Sequence, residues 1–240
     1  MRAVQVIAVR EFASFFRLPV GWVVIALYLL LTGLVFGAMV LRPGEAASLR
    51  SFFGWANWLL LPIAPAVSMR LFSEETRSGT AEGLMTAPVS DAAVVMGKFA
   101  GGGMFLAALL LPTLVYVVVL GGASDPAPDP GPIVAGYLSL VLVSGLYLSI
   151  GLLASSLTSN QTLAFIGTLL GLVIVLMVTS TASGWAPAWL ADLLAALSIP
   201  ARVGDFAKGV IDTGNVVFFL AATAWFLVLT YVAVGSRRWR

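Results

Sequence analysis

The chain has 240 residues, of which 13 are Lys or Arg and 11 are Asp or Glu, while 60% belong to the AVILMFWYC set. A soluble domain carries charge on about 25% of its residues, and one of this size could not bury so much apolar surface. Composition therefore excludes a soluble enzyme, a disordered tail and a disulfide scaffold, and it implies a membrane protein. With no Cys there is no disulfide, thiolate nucleophile or Cys-ligated metal, and with no His the commonest general base and metal ligand is missing. The net charge of +2 and the pI near 9.2 fit cytoplasmic Lys and Arg flanks better than a nucleic-acid surface.

In chain order, residues 1–18 come first. Val4, Ile7, Phe12, Phe15 and Phe16 recur at helical spacing, with Arg10, Ser14 and Arg17 opposite. This pattern predicts an amphipathic helix lying on the inner leaflet. Uncharged apolar runs follow at 19–41, 51–69, 99–122, 133–157, 163–182 and 215–236, each long enough to cross a bilayer as a helix. The first run is too long for a signal-peptide core and no A-x-A site follows it, so it is read as a retained span.

Between spans two and three lies an inner segment, 70–98, the most charged part of the chain. Between spans five and six, residues 183–214 form an outer amphipathic segment. Its apolar run 189–197 is too short to cross and is followed by Pro200, Arg202, Asp205 and Lys208. It is either re-entrant or interfacial.

Orientation follows from the flanking cations. With the N-terminus inside, the inner side holds Arg2, Arg10, Arg17, Arg70, Arg77, Lys98, Arg237, Arg238 and Arg240, and the outer side holds Arg42, Arg50, Arg202 and Lys208. The bias predicts N-in, C-in. Trp55, Trp58, Trp185 and Trp189 gather at outer ends, with Trp22 and Trp239 at inner ends, as an aromatic belt requires. The expected fold is an all-α polytopic membrane protein: six transmembrane helices, an interfacial N-terminal helix, one domain over 1–240.

None of these apolar runs contains Asp, Glu, Lys, Arg or His. That weighs against a proton- or ion-coupled carrier, an intramembrane aspartyl protease and a metal-dependent lipid synthase. Asp212-Thr213-Gly214 spells the aspartic-protease tripeptide, but a single copy lacks the partner that would share its proton. Asn160-Gln161-Thr162 is a sequon by coincidence. The small-residue pairs Gly167/Gly171, Gly145/Ser149 and Gly151/Ser155 are expected to pack within the chain rather than between copies. No G-x-x-x-x-G-K-S/T run occurs, so any ATPase that powers the chain is another polypeptide.

The inner segment concentrates chemistry. Glu74, Glu75, Arg77, Glu82, Asp91 and Lys98 are six of the chain's 24 charges. Gly79-Thr80 signals a turn, Thr80 can cap a short helix over 80–86, Pro88 breaks it, and Ser90 or Asp91 can cap the next helix. A short polar helix held between two span ends suits docking on a cytoplasmic partner; a solvated loop needed only for insertion is the alternative on physics alone.

Residues 75–90, Glu-Thr-Arg-Ser-Gly-Thr-Ala-Glu-Gly-Leu-Met-Thr-Ala-Pro-Val-Ser, followed by Gly97-Lys98, resemble the E-x-x-x-G-T-x-E-x-L-x-x-x-P signature of ABC-2 type transporter permeases. Gly83 departs from the bulkier apolar residue of that pattern. The run 197–212, Leu-Ser-Ile-Pro-Ala-Arg-Val-Gly-Asp-Phe-Ala-Lys-Gly-Val-Ile-Asp, resembles the gliding-motility-associated and nitrous-oxide-maturation permeases within that family. The resemblance implies a permease half-subunit of an ATP-driven exporter in a prokaryotic plasma membrane, paired with a second half and with separate ATP-binding subunits. ATP and Mg²⁺ would sit on those partners, and neither cofactor nor nucleic acid on this chain. It also implies that Glu74, Glu75, Arg77, Gly79, Thr80, Glu82, Leu84 and Pro88 form the ATPase-coupling element. A transporter needing no ATPase, and a non-transporting assembly or scaffold protein, are the rival readings.

Overall fold

A computed structural model describes residues 2–17, 19–42, 44, 47–78, 89–181 and 187–237. Among these every regular element is helical. Six helices are long and apolar enough to cross a membrane: Pro19–Val40, Arg50–Arg77, Asp91–Ala123, Pro130–Leu157, Gln161–Thr181 and Thr213–Ser236. We label the elements α1 (Arg2–Arg17), α2 (Pro19–Val35, extended by a π-helical turn Phe36–Val40), α3 (Arg50–Ser78) and α4 (Asp91–Leu110). A 3₁₀ turn at Leu111–Thr113 joins α4 to α5 (Leu114–Ala123); α6 (Pro130–Leu157), α7 (Gln161–Thr181), α8 (Ala188–Ala196), α9 (Ile199–Ala207) and α10 (Thr213–Arg237) follow.

Short polar side chains start these helices. Ser90 Oγ accepts from Ala93 N at 3.3 Å, Asp129 Oδ1 from Gly131 N at 3.0 Å, and Ser198 Oγ from Ala201 N at 3.4 Å. Each satisfies an amide that the first helical turn leaves without a carbonyl. The sequon and the protease-like tripeptide have the same job. Asn160 Oδ1 accepts from Thr162 N at 2.9 Å at the head of α7, and Asp212 Oδ1 from Gly214 N at 2.9 Å at the head of α10.

α6 is the hub: it packs against α3, α4, α7, α9 and α10. Buried Leu140, Val143, Tyr147 and Leu152 on α6 meet a core that includes Phe53, Leu60, Ala64 and Val67 of α3. Lipid tails are as apolar as Leu, so dispersion and close approach hold such helices together. Gly151 shows how close: a Cβ there would collide with Ser68 Oγ. One turn on, the Ser155 hydroxyl enters the α3 backbone ladder, accepting from Phe72 N and Ser73 N, both at 3.1 Å, and donating to Met69 O at 3.0 Å. Thus Gly151/Ser155 packs within the chain, as expected.

Gly167/Gly171 does not. A Cβ on either glycine would meet nothing within 4 Å, and both residues are exposed. α7 turns Ala164, Thr168, Leu172 and Leu176 inward instead, so the glycine pair faces away from the bundle. Buried shares separate the spans in the same way: 61% for the span in α3 against 17% for that in α10.

The third span is broken at Pro112, which has no amide to donate. Just beyond it the Tyr137 hydroxyl of α6 donates to Thr113 O at 2.8 Å, which ties the irregular turn to α6. Tyr116 of α5 ties the first span to the third by donating to Leu29 O at 3.1 Å, with its ring stacked on Phe36 at 4.7 Å. Between the fifth and sixth spans, residues 188–207 fold as two helices. α9 buries Ile199, Val203, Phe206 and Ala207 against α3, α6 and α7, while α8 touches α7 and leaves Trp189 and Leu193 exposed.

Candidate functional site

The charged segment 70–98 is helical at both ends. α3 continues to Ser78 and α4 begins at Asp91, so Arg70, Glu74, Glu75, Arg77 and Lys98 stand on helices. Hydropathy ends a span at its first charge, whereas a helix continues while its polar residues find partners along one face. Arg70 Nε supplies one such pair with Glu74 Oε2 at 3.1 Å, at the (i, i+4) spacing. Glu74 is thereby on the exposed flank, and Arg77 is exposed in the last turn of α3. Gly79, Thr80, Glu82, Leu84 and Pro88, together with the short helix expected over 80–86, lie outside the described residues, as do Trp185 and Trp239.

Glu75 belongs to a different construction. Lys98 was expected among the inner flanking cations, yet it is only 1% exposed on α4. That position lies roughly 10 Å along α4 from its first residue at 1.5 Å per residue. Its Nζ lies 2.8 Å from Glu75 Oε1 on α3 and 3.1 Å from Glu11 Oε1 on α1, with the ring of Phe72 at 5.2 Å. Arg10 Nη2 closes the circuit at 2.8 Å from Glu11 Oε1 and 3.0 Å from Glu75 Oε1. Two cations and two carboxylates alternate in a neutral four-membered ring joining α1, α3 and α4. The hydrogen bond to Glu11 and the charges of Glu11 and Glu75 hold the Arg10 guanidinium pKa above its ordinary value, against the opposing effect of burial. A buried cation survives only where opposite charge and hydrogen bonds replace its water, and Lys98 has both.

Glycine makes the ring possible. α1 lies across α4 at Gly97 and Gly101, where a Cβ would sit 2.7 Å from Ile7 and 2.6 Å from Glu11 Cβ respectively. One turn further on, Phe15 stacks on Phe105 at 4.5 Å. The apolar stripe of α1 therefore faces protein: Ile7 and Phe15 are buried and Val4, Phe12 and Phe16 partly so, while Val6 and Val9, off the stripe, are exposed.

Sequence reasoning placed Glu75 in the coupling element and counted Arg10 and Lys98 among the flanking cations, but it did not join them and passed over Glu11. One signal was available: Glu11 is the sole acid in the first 44 residues, on a helix otherwise basic and apolar.

At the opposite end, Arg202 of α9 donates to Asn215 Oδ1 and to Ala196 O and covers the Phe218 ring at 4.1 Å, clamping α8, α9 and α10 together. Among the described residues no group of three His, Cys, Asp or Glu side chains could hold a metal ion. What this arrangement provides is a tie: the end of α3 at Glu75 is fastened to both α1 and α4.

No curated protein matches the chain. Residues 11–179, however, match the family profile described as ABC-2 family transporter protein, a stretch that holds three of the four ring residues and the whole inner segment. With six candidate spans of the expected layout and no nucleotide-binding motif of its own, this chain belongs to the ABC-2 family of transporter membrane proteins.

Proposed function

We propose that the chain is the permease half-subunit of an ATP-driven exporter, working with a second half and with separate ATP-binding subunits that hold ATP and Mg²⁺. Residues 70–98 are the element on which an ATP-binding subunit docks. The observation that carries this reading is the ion-pair ring at the root of the segment. It joins the end of α3, where the segment begins, to α4, where it returns, and to the interfacial helix α1. Force applied between residues 78 and 91 therefore reaches three helices together instead of bending one end. The open glycine pair of α7 supports the presence of a second half, because small residues facing away from the bundle allow another helix to approach closely. The tie to gliding-motility and nitrous-oxide-maturation permeases rests on residues 197–212, beyond the matched stretch.

The test separates docking from the ring. Arg77→Glu reverses an exposed charge outside the ring and is expected to weaken the complex with the ATP-binding subunits. Loss of one charge-assisted contact is worth about 1.5–3 kcal/mol, roughly tenfold or more in affinity, with insertion unchanged. Co-purification and permease-stimulated ATP hydrolysis read both effects. Normal affinity, hydrolysis and transport in that variant refute the docking role.

A further inference from the structure

At the end of the bundle opposite the ring, a cavity of about 240 Å³ opens between α3 and α9. Its walls on both helices include a glycine: Gly54 on α3 and Gly204 on α9, each with nothing within 4 Å of where a Cβ would lie. Arg50 and Lys208 line the cavity, two of the four cations on that side of the chain. Lys208 reaches Asp205 only at 3.5 Å, with both side chains about half exposed.

Asn57 also lines the cavity, and it is 5% exposed with no hydrogen-bond partner for its Oδ1. Beside it, the fully buried Tyr147 hydroxyl faces the Asn57 amide without a bond of good geometry to it. A buried amide left unpaired costs about 1–3 kcal/mol, so its position against a cavity points to a polar guest. Gly54 and Trp58 also line a second, open pocket of about 510 Å³, together with Met39, Ser51 and Trp55. The two indoles are nearly half exposed there.

We propose that these two pockets together bind an anionic amphiphile from the surrounding leaflet. Its acidic head lies between Arg50 and Lys208, a head-group hydroxyl donates to Asn57 Oδ1, and its chains run over Met39, Trp55 and Trp58. The two pockets bring cations and a buried acceptor beside exposed indoles, the chemistries that such a molecule presents. The site stands on this geometry and does not depend on the docking reading above.

The test uses the full chain purified in a neutral detergent, with native mass spectrometry counting bound lipid. Dioctanoyl phosphatidylglycerol is expected to bind saturably at one site. Dioctanoyl phosphatidylcholine and glycerol phosphate are each expected to bind about tenfold more weakly or worse, the first lacking net charge and the second lacking chains. Gly204→Leu and Gly54→Leu fill open space, so both should fold with unchanged melting behaviour and lose about tenfold in affinity; Arg50→Gln and Asn57→Leu should show similar losses. Equal binding of the zwitterionic lipid refutes the charge reading. Glycerol phosphate binding as tightly as the lipid refutes an amphiphile in favour of a free anion. Undiminished binding in well-folded Gly204→Leu and Gly54→Leu refutes the site.

Discussion

The ion-pair ring makes a quantitative prediction through its two carboxylates. Glu11 and Glu75 each contact both Lys98 and Arg10, and Lys98 is 1% exposed while the carboxylate side chains are 12% and 20% exposed. Either Glu→Gln change alone leaves Lys98 one carboxylate and a new amide oxygen that can still accept. After discounting for the partial exposure of the acids, each single change should cost about 1–2 kcal/mol. The double variant Glu11→Gln/Glu75→Gln leaves a buried ammonium facing amides and the Phe72 ring. Breaking a buried pair so completely costs about 3–5 kcal/mol, so the double loss should exceed the sum of the singles by about 1 kcal/mol.

Adding Lys98→Met to the double variant removes the stranded charge while keeping an unbranched chain, and should recover about half of the loss or more. Unfolding free energies from SDS titrations in mixed micelles, on all four proteins and the parent, supply the comparison. Additivity within about 0.5 kcal/mol, or a triple variant no more stable than the double, would refute the claim that Lys98 is held by this ring.

Two further expectations follow from glycines in opposite situations. Gly101→Leu places its side chain into α1, where a Cβ alone already comes 2.6 Å from Glu11 Cβ and 2.9 Å from Ala8 O. It should destabilise by about 1–3 kcal/mol and release α1, read as faster proteolysis within residues 2–17; an unchanged digestion pattern would show that α1 is not held there. Gly167→Leu and Gly171→Leu point into open space and should leave the stability of the isolated chain within about 0.5 kcal/mol. A large loss in the monomer by the same titration would mean that the glycine face of α7 packs inside the bundle.

Much of the architecture is legible in the chain because membrane insertion depends on composition and length. Twenty or so apolar residues announce a span whatever they pack against, and the five starting signals at Ser90, Asp129, Asn160, Ser198 and Asp212 act on their own next turn. Local chemistry of this kind needs no knowledge of the rest of the fold. The span ends were less legible. Charge marked 70–98 as an excursion from the membrane, but the pairing of Arg70 with Glu74 and of Glu75 with Lys98 keeps both flanks helical.

Residue types alone also could not sort the small-residue pairs. Gly151/Ser155 and Gly167/Gly171 look equivalent in one dimension, yet the first receives Ser68 and the second receives nothing among the described residues. Which face of a helix points inward depends on the neighbours that surround it, and all-apolar spans carry little periodicity to reveal it. The candidate site divides in the same way. Exposed Arg77 could be read from its place in a motif, whereas the partners of Glu75 come from 65 positions earlier and 23 later in the chain.

By itself, then, the sequence determined that this is a helical six-span membrane protein with an amphipathic N-terminal helix and a charge-rich segment between its second and third spans, since apolar length and charge placement mark those features. Tertiary structure decided what the charges do. Lys98, one flanking cation among several in the sequence, becomes a buried tie because Gly97 and Gly101 let α1 bring Glu11 within 3.1 Å of it, and because in a water-poor interior a charge is stable only where the fold supplies its counter-charge.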